Sequence, residues 1–294
     1  MASTVYFSRT ITPEKVVELY DLLGVDLKGK VAVKLHSGEK GNQNYLKPEF
    51  WEPMVKHVNG TVVECNTAYG GARNTTQKHF RLMHEHKWDE FFEIDIMDDY
   101  DEDLVLPVEN GKVLKENRVG NHMQNYDSML VLSHFKGHPM GGYGGALKQL
   151  SIGCASSKGK SLIHSAGRTD DQYSLWARCA KQDEFLECMA DAASTVVKYF
   201  GGNIAFVNVM KNISVDCDCV AKAEDPCMKD IGILASLDPI AIDQACIDLV
   251  YAQTDDPGQK HFLERVESRH GIHTIEAAAE HGFGSREYEL VEVK

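Results

Sequence analysis

The sequence predicts an α/β fold in which a mostly parallel sheet carries helices on both faces. Short apolar segments typical of buried strands alternate along the chain with amphipathic segments long enough to form helices. Polar and glycine-rich residues follow several of the predicted strands, which is where open α/β sheets bind their ligands. The 294 residues allow one domain or two lobes, and we expect a single unit over residues 1–294.

The first half of the chain begins with an amphipathic helix over residues 12–23, which Thr12 caps and Pro13 opens. An acidic stretch, 98–103, is predicted to be a solvated loop. The other predicted elements of this half are strand 30–35, helix 48–58, strand 61–64 and helix 75–85.

In the second half, strand 129–132 precedes a glycine-rich segment and the start of a helix that carries Lys148. A short apolar run, 161–163, is predicted to be a strand that ends at His164. The remaining predicted elements are helix 183–200, strand 204–209, apolar segment 232–236, a helix from Asp238 to Tyr251, helices 261–269 and 274–280, and edge strand 287–293.

Composition limits the classes of function. The formal net charge is −13 at pH 7, which argues against binding to nucleic acid or to an anionic membrane surface. No apolar run approaches the roughly 20 residues that a membrane span requires, and the first residues lack a signal-peptide pattern. We therefore expect a cytoplasmic protein. Its eight cysteines are then buried thiols or metal ligands rather than disulfides.

The centre of the chain holds the densest set of candidate catalytic groups. His134 and His138 follow a predicted strand, and histidine suits acid–base chemistry near neutral pH. The glycines that come next, ending with Gly144 and Gly145, let backbone N–H groups approach a ligand, and the following helix carries Lys148. We expect this helix start and Lys148 to bind a small anion, either a carboxylate or a phosphate.

Cys217 and Cys219 form a C-x-C pair within the run DCDC. In an extended segment both thiols would face the same side and could chelate a soft metal ion, with His36 or His164 as a further ligand. A redox-active thiol pair and two packed thiols are the alternatives. The candidate cofactor-binding residues that follow strand 61–64 are Asn66, Tyr69 and Arg73.

Several phrases of the sequence resemble the DUF362 family: HFKGH, GGYGGALK, IGCAS, HSAG, DCDC and DIGILASLDPIAIDQACIDLV. The resemblance spans roughly residues 31–251. Many members of that family carry a ferredoxin-like insert that binds iron–sulfur clusters, and here it would fall within 165–203. That stretch has only Cys179 and Cys188 and lacks the C-x2-C-x2-C-x3-C-P run. We expect it to be helical, without ferredoxin-type 4Fe-4S clusters.

The spacing from His138 through Lys148 to His164 is also similar to the segment of the lactate racemase family that holds a nickel-pincer nucleotide. The resemblance implies that His138 transfers protons, Lys148 contacts the cofactor and His164 binds the metal ion. Alanine and glycine replace part of that family's serine-glycine-glycine phrase at positions 144–146.

Together these features predict a metal- or cofactor-dependent enzyme that acts on a small anionic metabolite by proton or hydride transfer. It would be an isomerase or racemase, or an oxidoreductase, and its metal ion would be nickel, zinc or iron. The alternative is an electron-transfer protein that holds an iron–sulfur centre. A homodimer is compatible with the sequence.

Overall fold

The computed structural model describes residues 2–99 and 103–294. Its strands are β1 (Ser3–Ser8), β2 (Val31–Lys34), β3 (Thr61–Glu64), β4 (Ile94–Ile96), β5 (Asp103–Pro107), β6 (Glu116–Gly120), β7 (Ser128–His134), β8 (Lys136–His138), β9 (Gly142–Gly144), β10 (Ile204–Met210), β11 (Gly232–Ser236) and β12 (Tyr288–Glu292). Eight of these described strands form the central sheet in the order β12-β1-β11-β10-β7-β2-β3-β4, while β5 pairs with β6 and β8 with β9.

Strands β4, β3, β2, β7 and β10 run parallel to one another. Strand β11 is antiparallel to both of its neighbours, and β12 lies parallel to β1 at the edge of the sheet. Among the described strands of this sheet, β11 alone therefore opposes the common direction. The predicted mostly parallel sheet is confirmed, and the tail of the chain forms an edge strand as expected.

Helices cover both faces of the sheet, as the sequence predicts. Along β7, Met129 and Val131 pack into one apolar core with the longest helices, whereas Leu130 and Leu132 pack into a second core on the opposite face. The helices are α1 (Pro13–Asp21), α2 (Pro48–His57), α3 (Thr76–Glu85), α4 (Ala146–Lys148), α5 (Ser157–His164), α6 (Gln182–Phe200), α7 (Pro239–Tyr251), α8 (Gln259–Ser268) and α9 (His273–His281).

The predicted strand over 161–163 is wrong, because these residues belong to helix α5. Ser156 caps that helix by accepting a hydrogen bond from the Gly159 N–H group. Three apolar or neutral residues are too few to distinguish helical from strand periodicity. The prediction also omits β1 and the β8–β9 hairpin, whose pairing partners lie elsewhere in the chain or across a tight glycine turn.

Part of the predicted acidic loop 98–103 lies outside the described residues, which omit 100–102. The stretch 165–203 contains a short 3-10 turn, Leu175–Ala177, followed by α6. No helix among the described residues combines the length and the apolar character needed to cross a bilayer.

Candidate functional site

A cavity of about 260 Å³ opens at the carboxyl ends of β2, β3 and β7. Because parallel strands end at one edge of the sheet, residues that are far apart in sequence meet there. Helix α5 and the loop after β10 close the remaining sides. The predicted site residues that line this cavity are His36, Tyr69, Arg73, His138, Gly144, Gly145, Lys148, His164 and Cys219.

His138 and His164 offer opposite hydrogen-bonding atoms to this cavity. The Nδ1 atom of His138 accepts hydrogen bonds from the backbone N–H groups of Gly141 (2.8 Å) and Met140 (3.2 Å), which assigns the proton of the neutral ring to Nε2. In His164, Nδ1 donates to the Lys160 carbonyl at 2.7 Å, which leaves Nε2 with a free lone pair. One ring is therefore a donor and the other an acceptor.

Both imidazoles are neutral near pH 7. Burial, together with the charge of Lys148, lowers the pKa of His138 to about 4. Burial also lowers the pKa of His164 to about 4, against the opposing effect of its hydrogen bond to the Lys160 carbonyl. The two tautomers described above are thus the forms present at neutral pH.

Cys217 lies behind Cys219 and is fully buried. Its Sγ atom accepts hydrogen bonds from the Cys219 backbone N–H group at 3.4 Å and from the Lys148 ammonium at 3.7 Å. Burial opposes ionisation, but the Cys219 thiol, the charge of Lys148 and the His138 ring together hold the pKa of Cys217 well below its usual value. The hydrogen bond to Cys217 and burial raise the pKa of Cys219 well above its usual value. The pair therefore consists of one thiolate and one thiol.

The two cysteines come together in a turn rather than in the extended segment that we expected, since the Val220 N–H group donates to the Cys217 carbonyl. One ligand atom from each of His138, Cys217 and Cys219 lies within 4.8 Å of the others. The geometry thus groups the thiols with His138, whereas the sequence predicted His36 or His164 as the further ligand. Because Nε2 of His138 carries its proton, that ring would have to lose it before binding a metal ion.

His134, predicted to be catalytic, does not line the cavity. Its Nδ1 atom lies 3.0 Å from both carboxylate oxygens of Asp218, and its Nε2 atom lies 2.6 Å from the Lys211 carbonyl. The ammonium of Lys136 contacts the same Asp218 carboxylate at 2.9 Å. With both ring nitrogens engaged, His134 anchors the cysteine loop instead of meeting a ligand, which corrects the prediction.

Asn66, predicted to bind a cofactor, also lies outside the cavity. It lines a neighbouring polar pocket together with Thr76 and Asp98. Its side-chain amide donates to the Thr76 hydroxyl at 3.0 Å, and its backbone N–H group donates to the Asp98 carboxylate at 2.8 Å. Tyr69, from the same predicted set, lines the cavity and accepts a hydrogen bond from the Arg73 guanidinium at 3.0 Å.

The start of helix α4 does not bind an external anion as we expected, because Asp243 already occupies it. The Asp243 carboxylate accepts hydrogen bonds from the backbone N–H groups of Ala146 (2.8 Å) and Leu147 (3.0 Å). A Cβ atom on Gly145 would lie only 2.4 Å from this carboxylate. Gly145 is therefore needed for the approach of Asp243, a residue that the sequence analysis treats only as part of helix 238–251.

The cavity lining is rich in cationic side chains even though the whole chain is acidic. Glu64 is the only carboxylate among its described lining residues, and it accepts a hydrogen bond from the buried Lys34 ammonium at 3.0 Å. Arg73 and Lys136 pair with carboxylates just outside the lining, Glu39 at 3.1 Å and Asp218 at 2.9 Å. The five cationic side chains on the described lining are Lys34, Arg73, Lys136, Lys148 and Lys160.

Three further lining residues, which the sequence patterns did not indicate, are Lys34, Glu64 and Lys160. Lys34 and Glu64 each end an otherwise apolar strand, and a charged residue there is a readable signal because it reaches the ligand-binding edge of the sheet. Lys160 lies one helical turn before His164 on α5. Residues four apart are neighbours on one face of a helix, whereas the predicted strand at 161–163 gave no reason to place Lys160 beside His164.

Comparison with known proteins agrees with the resemblance that the sequence indicates. The family model described as a domain of unknown function, DUF362, matches residues 31–248. A comparison with curated proteins found no match.

Two solved structures are similar in fold. A lactate racemase apoprotein from Thermoanaerobacterium thermosaccharolyticum is 13% identical in sequence, with a TM-score of 0.45, and the match covers 81% of this chain and 55% of that protein. A structural-genomics crystal structure of a Thermotoga maritima protein is 12% identical, with a TM-score of 0.42, covering 92% of this chain and 59% of that protein. This chain thus spans somewhat more than half the length of each structure.

Proposed function

We propose that this chain, which belongs to the DUF362 family, is an enzyme that binds a small anionic metabolite in the cavity and moves a proton or a hydride on it. The observation that carries this proposal is the contrast between an acidic protein and a cavity lined by five cationic side chains and by three histidines whose pKa is lowered by burial. Such a cavity attracts anions and offers acid–base groups at the same place.

Lys148 is the proposed counter-charge for the bound anion. Lys34, Arg73 and Lys136 are each paired with a carboxylate. The Lys148 ammonium donates a hydrogen bond to the Cys217 sulfur at 3.7 Å, and its side chain lines the cavity. Of these four cations, Lys148 is thus the one beside a thiolate rather than a carboxylate, and a bound anion would share its charge with Cys217.

His138 is the proposed hydrogen-bond donor to the ligand, because two backbone hydrogen bonds to Nδ1 keep the proton of its neutral ring on Nε2. His164 is the proposed metal ligand, since its hydrogen bond to the Lys160 carbonyl leaves the Nε2 lone pair free, as metal-binding histidines require. If His164 binds no metal ion, the same lone pair can accept a proton.

Two sets of donors could hold a metal cofactor: His164, which presents its Nε2 lone pair at the cavity, and the trio of His138, Cys217 and Cys219. When bound, such a group would supply an electrophilic centre for proton or hydride transfer. Nickel, zinc and iron all accept this combination of nitrogen and sulfur ligands.

The test is metal and sulfide analysis of protein purified without chelators, together with the variants His164→Ala, Cys217→Ser/Cys219→Ser and His84→Ala. His84 is an exposed histidine far from the cavity and serves as the control. We expect nickel or zinc that is lost in the His164 and cysteine variants and kept in the control. Iron with inorganic sulfide would instead favour the electron-transfer alternative.

A further inference from the structure

The start of helix α9 carries a cluster of metal-binding side chains that is separate from the cavity. One ligand atom from each of His270, His273 and Glu276 lies within 4.8 Å of the others. The side chain of His270 is 57% exposed, which gives an ion direct access from solvent. We propose that these three residues form a second site, one for a divalent transition-metal ion such as Zn²⁺.

Both histidines are oriented as metal ligands usually are, with the second ring nitrogen bonded to a carboxylate. Nδ1 of His270 lies 2.8 Å from Asp183, and Nε2 of His273 lies 3.3 Å from Glu187. Asp183 and Glu187 both belong to helix α6, one turn apart. These bonds leave Nε2 of His270 and Nδ1 of His273 for the ion.

The spacing of the remaining atoms suits a small ion. Nδ1 of His273 lies 3.4 Å from the Oε2 atom of Glu276. Neighbouring ligands of tetrahedral zinc, at bond lengths of about 2.0–2.2 Å, are separated by roughly 3.4 Å. The two histidine rings are stacked with an interplanar angle of 7° and centroids 5.0 Å apart. Because lone pairs lie in the ring plane, the exposed His270 side chain must rotate before its Nε2 lone pair points at the ion that His273 binds.

The chemistry of the ligands selects the class of ion. Two imidazoles and one carboxylate favour zinc, nickel, cobalt or copper over magnesium and calcium, which prefer oxygen ligands alone. Arg286 contacts the other oxygen of Glu276 at 3.3 Å, and Lys112 lies 3.7 Å from Glu187. These cations balance part of the local negative charge while leaving Oε2 of Glu276 available.

A metal ion at this site would stabilise a segment that packs against the lining of the cavity. Gly271, between the two histidines, packs against the glycine turn after β8, since a Cβ atom on Gly142 would lie 2.9 Å from the Gly271 Cα atom. In the same turn, the Gly141 N–H group donates to Nδ1 of His138. The ion would fix the two histidines whose other ring nitrogens contact Asp183 and Glu187 of α6, and so hold the segment on which this turn rests.

The experiment titrates the metal-free full-length chain with Zn²⁺ by calorimetry and with Co²⁺ by visible absorption. We expect His270→Gln and Glu276→Gln to lose one bound equivalent relative to the unsubstituted protein. Asp183→Asn should weaken binding by about 10–100-fold, because it removes only the carboxylate behind the ligand. The control is His261→Gln, which alters an exposed histidine that contacts the single carboxylate of Glu224 and should change nothing.

The Co²⁺ spectrum separates this site from the cavity. An ion bound by imidazole and carboxylate gives no thiolate-to-metal charge-transfer band, whereas one bound by Cys217 or Cys219 does. We expect the signal lost in His270→Gln to lack that band. Equal stoichiometry and affinity in His270→Gln and the unsubstituted protein would overturn the proposal, as would a lost signal that carries the thiolate band.

Discussion

At single residues, backbone partners decide which chemistry a histidine can perform. His138 is buried, His164 is half-buried and both rings are neutral near pH 7, yet one presents an N–H group and the other a lone pair. The difference arises because Nδ1 faces backbone N–H groups in one ring and a backbone carbonyl in the other. Neither fact can be read from the spacing of the histidines, which is all that the sequence offers.

The lowered pKa of His164 predicts a dependence of stability on pH. Its ring titrates at about 4 when folded and near its ordinary value of 6.5 when unfolded. Between these pH values the unfolded chain binds a proton that the folded protein does not, so the free energy of unfolding falls as the pH falls from 6.5 to 4. Asp243, whose pKa burial raises to about 6, acts in the opposite direction.

Substituting His164→Gln isolates the histidine contribution. We expect the loss of unfolding free energy between pH 7 and pH 4.5, measured by urea denaturation, to shrink by about 1–3 kcal/mol. His261→Gln, at an exposed surface histidine, should leave the pH dependence unchanged. An identical dependence in both variants would mean that His164 is not buried in its neutral form.

We expect substitution of Lys148 to weaken anion binding and substitution of Lys34 to lower the free energy of unfolding. Lys148→Ala removes the proposed counter-charge for the anion, so binding of small carboxylates or phosphate should weaken at least about tenfold, with unfolding free energy changed by less than about 1 kcal/mol. Lys34→Ala leaves the buried Glu64 carboxylate unpaired and should cost about 3–5 kcal/mol. Calorimetric titration measures the loss of anion binding, and urea denaturation measures the loss of stability. If Lys148→Ala lost stability and Lys34→Ala lost only anion binding, Lys148 would be the structural residue and Lys34 the counter-charge.

At the level of elements, the glycines in the segment after β7 allow the β8–β9 hairpin, helix α4 and the Asp243 carboxylate to pack closely. The β8–β9 hairpin pairs Lys136 with Gly144, and a Cβ atom on Gly144 would lie 3.2 Å from the Lys148 side chain. Helix α4 then begins on the Asp243 carboxylate. The glycines thus bring two lysines and a buried carboxylate together, rather than exposing backbone N–H groups to a ligand.

Gly145→Ala tests this account. The new methyl group would lie 2.4 Å from the Asp243 carboxylate, so we expect a loss of about 1–3 kcal/mol in unfolding free energy and weaker anion binding as Lys148 moves. Gly70→Ala is the control, because a Cβ atom at this position meets no described atom within 4 Å. We expect this substitution to change the unfolding free energy by less than about 0.5 kcal/mol. Equal melting temperatures for the two variants would contradict the proposed contact.

For the whole molecule, features that depend on local sequence pattern are predicted correctly. Features that depend on contacts between residues far apart in the chain are not. The buried strands and long helices are periodic enough to recognise, and their common direction predicts that the strand ends converge. The roles of His134 and Asp243 were not predictable, because each is defined by partners more than 75 residues away in the chain. The short run 161–163 was misassigned because helix α5 has only eight residues.

Convergence of the strand ends leads to a prediction for the whole chain. If the cavity is one binding site, a ligand at 100 times its dissociation constant should raise the unfolding free energy by about 2.7 kcal/mol. Hydrogen exchange should then slow together in the loops after β2, β3, β7 and β10, because all four contribute lining residues. The Lys148→Ala variant should lose this joint response at the same ligand concentration. Protection confined to one loop would mean that the ligand binds locally and that the four strand ends do not act as one site.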